Sequence, residues 1–130
     1  MGETVRALML GDVIGEPGLK AMFAGLGELV RRLKVDLVVA NGENAAAGFG
    51  ITSEETAKLF SNGVQVITSG NHVWEKKGAA ELLAAESRLL RPANYPEGAP
   101  GRGLAVIEAA GKTWAVLNLQ GRESLYSIDC

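Results

Sequence analysis

Cysteine and long apolar runs are scarce in this sequence, and each scarcity excludes some classes of protein. Cys130 is the single cysteine in 130 residues, so no disulfide can form within the chain. Such cysteine usage is typical of a reducing compartment and predicts a cytoplasmic protein. The apolar run nearest the N-terminus covers only residues 7–10. It is too short for a signal core or a membrane span, so we expect no membrane association.

Net charge is also low. Lysine and arginine number 13 and aspartate and glutamate 15, which gives a formal net charge of −2. This balance provides no broad cationic surface and disfavours strong non-specific binding to nucleic acid. A small-molecule or nucleotide substrate remains compatible with it, because a bound metal ion would bring its own positive charge.

Hydrophobic patterning predicts one α/β domain over residues 1–130, with a largely parallel sheet followed by a β-hairpin. Three apolar runs predict buried strands at residues 5–10, 37–40 and 64–68. Helices are predicted between these runs, the second beginning with a capping box of Thr52 and Glu55, and another over residues 75–84. After a loop rich in proline and glycine, residues 104–108 and 113–119 predict the hairpin, with its turn at residues 110–111.

Each of the three predicted strands ends in a short turn that carries polar side chains. These side chains are Asp12 after the first strand, Glu43 and Asn44 after the second, and Asn71 and His72 after the third. Ligands bind outside the carboxyl ends of the strands in an open parallel sheet, and these ends share one edge. The three turns are therefore expected to converge, although they are spread over sixty residues of sequence.

The convergent side chains form an oxygen-rich ligand set with one imidazole nitrogen, which suits divalent Mn, Fe or Zn. Each residue also has an ordinary explanation when taken singly. Asp12 can serve as a helix-entry residue, Asn41 and Gly42 as a turn, and His72 as a hydrogen-bonded structural residue. Their occurrence at three successive strand ends favours a site.

Two phosphate-binding motifs are incomplete. Residues 111–113 read GKT, as at the end of a phosphate-binding P-loop, but Val106 stands where that motif requires glycine. Residues 48–50 read GFG, and Ser53 replaces the third glycine of a dinucleotide-binding fingerprint. A nucleotide-binding α/β domain of another kind is therefore disfavoured. Phe49 between two glycines is a candidate for stacking on a base.

Four motifs together resemble the YmdB-like branch of the calcineurin-like metallophosphoesterases. They are GDVIGEPG at residues 11–18, NGENA at 41–45, GNHVW at 70–74 and RPANYP at 91–96. The resemblance extends from about residue 5 to residue 130. It implies that the chain forms the N-terminal half of an α/β/β/α sandwich. It also implies a two-metal phosphodiesterase acting on 2′,3′-cyclic nucleotides.

The resemblance further implies roles for individual residues. Asp12 and Asn44 would bind a first metal ion, Glu43 would bridge two ions, and Asn71 would bind the second. His72 would lie beside the scissile phosphate as general acid or transition-state stabiliser. In the loop that follows, Arg91 and Asn94 are candidates for contacting substrate, and an alternative is that prolines simply make this loop a rigid surface segment.

The sequence departs from the family in length and in histidine content. Family members are about twice as long, and their second half supplies three histidine ligands, whereas this chain contains only His72. We therefore expect a truncated chain with an incomplete metal site, which forms a homo-oligomer or packs against a missing C-terminal half. The alternative is a non-catalytic module that binds nucleotide, RNA or a partner protein.

Overall fold

The computed structural model describes residues 4–123, in which strands and helices alternate before a terminal pair of strands. Cys130 lies outside the described residues. The elements are β1 (Ala7–Asp12), α1 (Gly15–Leu33), β2 (Leu37–Asn41), α2 (Ser53–Ser61), β3 (Val66–Thr68), α3 (Ala79–Ala85), β4 (Leu89–Leu90), β5 (Leu104–Ala109) and β6 (Lys112–Leu117). Among the described helices, none is long and apolar enough to cross a membrane.

Strands β1 to β4 form one sheet in the order β1-β2-β3-β4, and every pairing in it is parallel. Strands β5 and β6 form a separate antiparallel hairpin. This arrangement confirms the predicted α/β fold with a parallel sheet and a hairpin. Because the four strands run in the same direction, the loops that follow β1, β2 and β3 all leave the same edge of the sheet.

The parallel sheet is covered on both faces, which explains why its central strand reads as a continuous apolar run. Alternate residues of β2 point to opposite sides. Val38 and Ala40 belong to the buried cluster that includes α1 and α2, whereas Leu37 and Val39 pack in the cluster formed with the hairpin. The chain is therefore built in three layers, with helices, parallel sheet and hairpin in that order.

Several element bounds differ from the prediction: β1 covers Ala7–Asp12 and not residues 5–10, and β6 ends at Leu117 and not at residue 119. Helix α3 begins at Ala79, not at residue 75, because Gly78 adopts a φ of 82° and the preceding residues form turns. Strand β3 begins at Val66 and not at residue 64. Gln65 before it still bonds to β2, since its backbone N–H donates to the Val38 carbonyl at 2.9 Å and its side-chain oxygen accepts from the Val38 N–H at 2.8 Å. Strand β4 was not predicted. Its two residues are apolar and buried, and only their pairing with β3 defines them as a strand.

The capping box at the start of α2 gives a testable contribution to stability. The Thr52 hydroxyl accepts from the Glu54 N–H at 3.2 Å, and the Glu55 carboxylate accepts from the Thr52 N–H at 3.2 Å. Thr52→Ala should lower the free energy of unfolding by about 1 kcal/mol, because it leaves an N-terminal N–H of the helix without its partner. Urea denaturation measures this change, and Thr4→Ala at an exposed position before β1 provides the control.

The same box predicts a pH dependence. Partial burial raises the pKa of the Glu55 carboxyl, but its hydrogen bonds with Thr52 and the backbone outweigh this effect, and the net pKa lies below its ordinary value of 4.5. A lowered pKa in the folded state stabilises the protein above the unfolded-state pKa, and this stabilisation is lost as the pH falls. The difference in stability between wild type and Glu55→Gln should therefore shrink in acid. An equal difference at neutral and acidic pH would contradict this assignment.

Candidate active site

The polar residues at the ends of the first two strands are in direct contact. A shift in register between Leu10 and Asp12 places Asp12 opposite Asn41 across the β1–β2 pairing. The side-chain amide of Asn44 donates to a carboxylate oxygen of Asp12 at 2.8 Å. The predicted convergence of these two strand ends is thus realised by a hydrogen bond between residues 32 positions apart.

Glu43 reaches across to the third strand end. Its backbone N–H donates to the Asn41 side-chain oxygen at 2.9 Å, and the Asn41 amide donates back to the Glu43 carboxylate at 3.1 Å. The other carboxylate oxygen accepts a long hydrogen bond of 3.4 Å from the His72 N–H. Glu43 is therefore held by the turn that precedes it and lies against the turn that carries Asn71 and His72.

Gly70 makes room for the Glu43 carboxylate. A Cβ atom at position 70 would lie 2.7 Å from one carboxylate oxygen of Glu43 and 2.8 Å from its Cδ atom, both closer than atoms can approach. The glycine is therefore required by the close approach of Glu43, and its φ is not in the left-handed region. Asn71 follows directly, half-buried, between two residues that both approach Glu43.

Asn44 offers an oxygen that the protein does not use. Its backbone carbonyl accepts from the N–H groups of Gly15 and Gly48, at 2.9 and 3.1 Å, so the turn is firmly placed. Its side-chain oxygen is buried and has no hydrogen-bond partner among the described residues. Buried polar atoms are nearly always satisfied, and a bound ion is one explanation of an exception. The position beside the Asp12 carboxylate fits a cation.

His72 is partly enclosed, and 29% of its side chain is exposed. Its Nδ1 atom is buried without a hydrogen bond, and the nearest acidic oxygen, on Glu75, lies 3.5 Å away. The ring of Phe49 meets the imidazole edge to face, with 5.3 Å between ring centroids and an interplanar angle of 70°. The imidazole therefore packs against an aromatic ring, and its Nδ1 atom has no hydrogen-bond partner among the described residues.

Arg91 and Asn94 lie in a loop that folds on itself. The Arg91 side chain is buried, and its guanidinium donates to the backbone carbonyls of Pro92, Ala99 and Pro100 at 2.8, 3.3 and 3.1 Å. These bonds favour the loop-shaping alternative for Arg91. The Asn94 amide donates to the Gln120 carbonyl at 2.8 Å, and its oxygen accepts from the Gln120 N–H at 3.1 Å. A substrate contact by either residue remains a prediction.

Asn118 was missed by the sequence reasoning and ties the hairpin to the edge of the sheet where the site lies. Its buried amide donates to the carbonyls of Ser69 and Leu90, at 2.8 and 3.1 Å. The Ser69 hydroxyl also donates to the Leu90 carbonyl, at 2.7 Å. No sequence signal indicated this role, because Asn118 fell inside the strand predicted over residues 113–119.

Tyr95 was also missed. Its ring meets Trp74 edge to face at 5.7 Å, next to the turn that carries His72. Burial raises the pKa of the Tyr95 phenol above its ordinary value of 10.0, and the negative charge of Glu43 acts in the same direction. The contact with Trp74 places Tyr95, and with it the loop after Arg91, next to the turn that carries His72.

The donor set matches part of a metal centre. Within residues 4–123, no three histidine, cysteine, aspartate or glutamate side chains are grouped so that they could hold a metal ion. Two carboxylates are present, those of Asp12 and Glu43, and asparagine oxygens would supply the rest. Oxygen donors of this kind fit a hard or borderline divalent cation. These residues alone would leave coordination positions open for further ligands.

The fold and the site together define a class of protein. It is an α/β protein that carries carboxylate and amide oxygens at the carboxyl edge of a parallel sheet. Residues 8–130 match the model of the YmdB-like protein family. The chain belongs to this family, as its motifs indicated.

Individual relatives agree with this assignment. The chain is 42% identical over 125 residues to a Bacillus subtilis protein named 2′,3′-cyclic-nucleotide 2′-phosphodiesterase. The matched region covers 96% of this chain and 47% of that protein. A hypothetical protein from Thermus thermophilus superposes with a TM-score of 0.88 at 39% identity, over 97% of this chain and 49% of that structure. A structure described as a novel phosphatase from Mycoplasma pneumoniae gives 0.89 at 29% identity, over 99% and 48%. The chain thus spans about half the length of these relatives.

Proposed function

We propose that this chain provides half of the active site of a metal-dependent phosphodiesterase that cleaves 2′,3′-cyclic nucleotides. The observation that carries the proposal is the cluster at the sheet edge, where Asp12, Asn44 and Glu43 converge with the turn bearing Asn71 and His72. The Bacillus subtilis relative, named as a phosphodiesterase of this specificity, supports the substrate class. In this proposal residues 1–130 act as one domain.

The family resemblance and the positions of Asp12, Asn44 and Glu43 support the proposed ligand roles. Asp12 and the unpartnered oxygen of Asn44 would hold one divalent ion, Asn71 would hold a second, and Glu43 lies between the two groups. Two ions of Mn, Fe or Zn would stabilise charge on the phosphoryl oxygens and lower the pKa of the attacking water. Asn41 would position the Glu43 carboxylate through hydrogen bonds, and Gly70 would leave the space that this carboxylate occupies.

His72 would act on the leaving group. An imidazolium at this position can donate a proton to the departing ribose oxygen, a contribution typically worth about 10²–10⁴-fold in rate. Its backbone bond to Glu43 fixes the start of the turn, and Phe49 limits rotation of the ring. Both contacts support the proposal that His72 would lie beside the phosphate held by the ligands.

A completed site requires further ligands, which a C-terminal half or a second copy of the chain would provide. We place the protein in the cytoplasm with a small phosphodiester as its substrate, and RNA ends that carry a cyclic phosphate belong to the same chemical class. The second candidate is a non-catalytic module that binds nucleotide, RNA or a protein partner. The small number of acidic and histidine ligands among residues 4–123 favours this second candidate for the chain alone.

The test compares hydrolysis of adenosine 2′,3′-cyclic phosphate by wild type, Glu43→Ala and Glu28→Ala, each with and without Mn²⁺. If this chain completes its own site, Mn²⁺-dependent turnover is expected in wild type and Glu28→Ala and not in Glu43→Ala, because Glu28 is an exposed carboxylate on α1. Calorimetric Mn²⁺ binding is measured on the same samples. Binding that depends on Glu43 without turnover would favour the non-catalytic module. Equal binding by wild type and Glu43→Ala would contradict the ligand assignment.

A further inference from the structure

Phe49 is an exposed aromatic side chain placed directly beside the candidate acid. Its side chain is 58% exposed, and it lies outside both buried hydrophobic clusters of the described structure. Its ring contacts His72 edge to face at 5.3 Å. Burial in the core does not explain this aromatic residue, and its exposed ring surface is available to a ligand.

The loop that carries Phe49, residues 46–50, is held in one place. The Ala46 N–H donates to the Gly50 carbonyl at 2.9 Å, and the Gly48 N–H donates to the Asn44 carbonyl at 3.1 Å. Ala47 has a φ of 56°, a backbone conformation that costs free energy for a residue with a side chain. A conformation of this kind persists only where the surroundings fix it, and it is common in segments that contact ligands.

The other side of the loop is packed against the turn of His72. A Cβ atom at Gly50 would lie 2.9 Å from Cγ of Lys76 and 3.2 Å from the His72 carbonyl oxygen. Gly50 also has a φ of 73°, so both its conformation and its close contact require glycine. The loop thus connects Asn44 to His72, and Phe49 occupies a fixed position relative to both.

We infer that Phe49 is a specificity-determining residue that stacks on the base of a nucleotide substrate. This inference rests on the proposed function. In a 2′,3′-cyclic nucleotide the base is attached to the ribose carbon next to the one that carries the O2′ of the cyclic phosphate. A stacking surface for the base must therefore be an immediate neighbour of the group that protonates the leaving oxygen, as Phe49 is of His72. Stacking of this kind accepts any base, because every base presents a π-face.

The test compares a substrate that has a base with one that lacks it. Phe49→Leu should lower kcat/KM for adenosine 2′,3′-cyclic phosphate by about tenfold, the lower part of the range for base stacking. It should leave kcat/KM for glycerol 1,2-cyclic phosphate nearly unchanged, since that substrate has the cyclic diester and no base. Phe49→Trp should retain activity on the nucleotide. Equal losses on both substrates would show that Phe49 only positions His72, and no loss on either would also overturn the inference.

Binding measurements separate this inference from the proposed function. Calorimetry with Mn²⁺ present compares the affinity of each variant for adenosine 3′-phosphate and for glycerol 2-phosphate. If wild type shows no turnover but Phe49→Leu weakens only the adenosine compound, the proposed hydrolysis fails and the stacking role stands. If wild type binds the two compounds equally tightly, or Phe49→Leu weakens both alike, the stacking role fails whatever the turnover.

Discussion

Gly70→Ala should remove metal-dependent turnover as completely as Glu43→Ala, while the fold stays intact. The added Cβ would lie 2.7 Å from a carboxylate oxygen of Glu43, so the carboxylate must move. Because that oxygen is the far end of a flexible side chain, the displacement costs the fold little. It nevertheless moves the residue proposed to bridge two ions, and a misplacement of about 1 Å at a reacting centre can cost about 10²-fold in rate.

The measurement combines activity, Mn²⁺ affinity and stability. We expect Gly70→Ala to lose about 10²-fold or more in turnover, with weaker Mn²⁺ binding and a small change in urea midpoint. Gly27→Ala is the matched control, because its Cβ would meet no atom within 4 Å and it lies on an exposed turn of α1. Unchanged Mn²⁺ affinity in a folded Gly70→Ala protein would show that the position of Glu43 does not matter, and the proposed bridging role would then be wrong.

The convergence of the candidate site was predictable from the sequence because it follows from topology. Parallel strands joined by crossover helices place their carboxyl ends at one edge, whatever the details of packing. Apolar runs located the three strands, and the polar residues directly after them therefore had to meet. The Asp12–Asn44 hydrogen bond and the contact of Glu43 with the His72 turn are instances of this rule.

The features that could not be predicted from the sequence depend on packing between elements that are distant along the chain. Strand β4 has only two residues and no periodicity, so only its neighbour in the sheet identifies it. Arg91 could equally have contacted a substrate phosphate, and its bonds to loop carbonyls were visible only once the loop was folded. The role of Asn118 likewise depends on the hairpin lying against the ends of β3 and β4.

Gly103→Ala should be among the most destabilising single changes of a small residue in this chain. Gly103 is buried, and a Cβ there would lie 2.6 Å from the backbone nitrogen of Ala93, with other Ala93 atoms closer still. Backbone on both sides is fixed, because the Asn118 N–H donates to the Gly103 carbonyl at 2.9 Å and the Ala93 N–H donates to the Asn118 carbonyl at 2.8 Å. Overpacking against atoms that cannot move away costs about 1–3 kcal/mol or more, and we expect about 3 kcal/mol.

Urea denaturation of Gly103→Ala and Gly25→Ala measures the effect. Gly25 is an exposed residue of α1 with nothing within 4 Å of its would-be Cβ, so Gly25→Ala should raise the free energy of unfolding by about 0.5–1 kcal/mol. The two substitutions should change the free energy of unfolding in opposite directions. This difference would distinguish a steric clash at position 103 from the lower entropy of the unfolded chain at position 25. A Gly103→Ala protein as stable as wild type would mean that the segment beginning at Ala93 can shift. The backbone at Asn94 and Tyr95 would then not be fixed, and the ring contact between Tyr95 and Trp74 would depend on other residues.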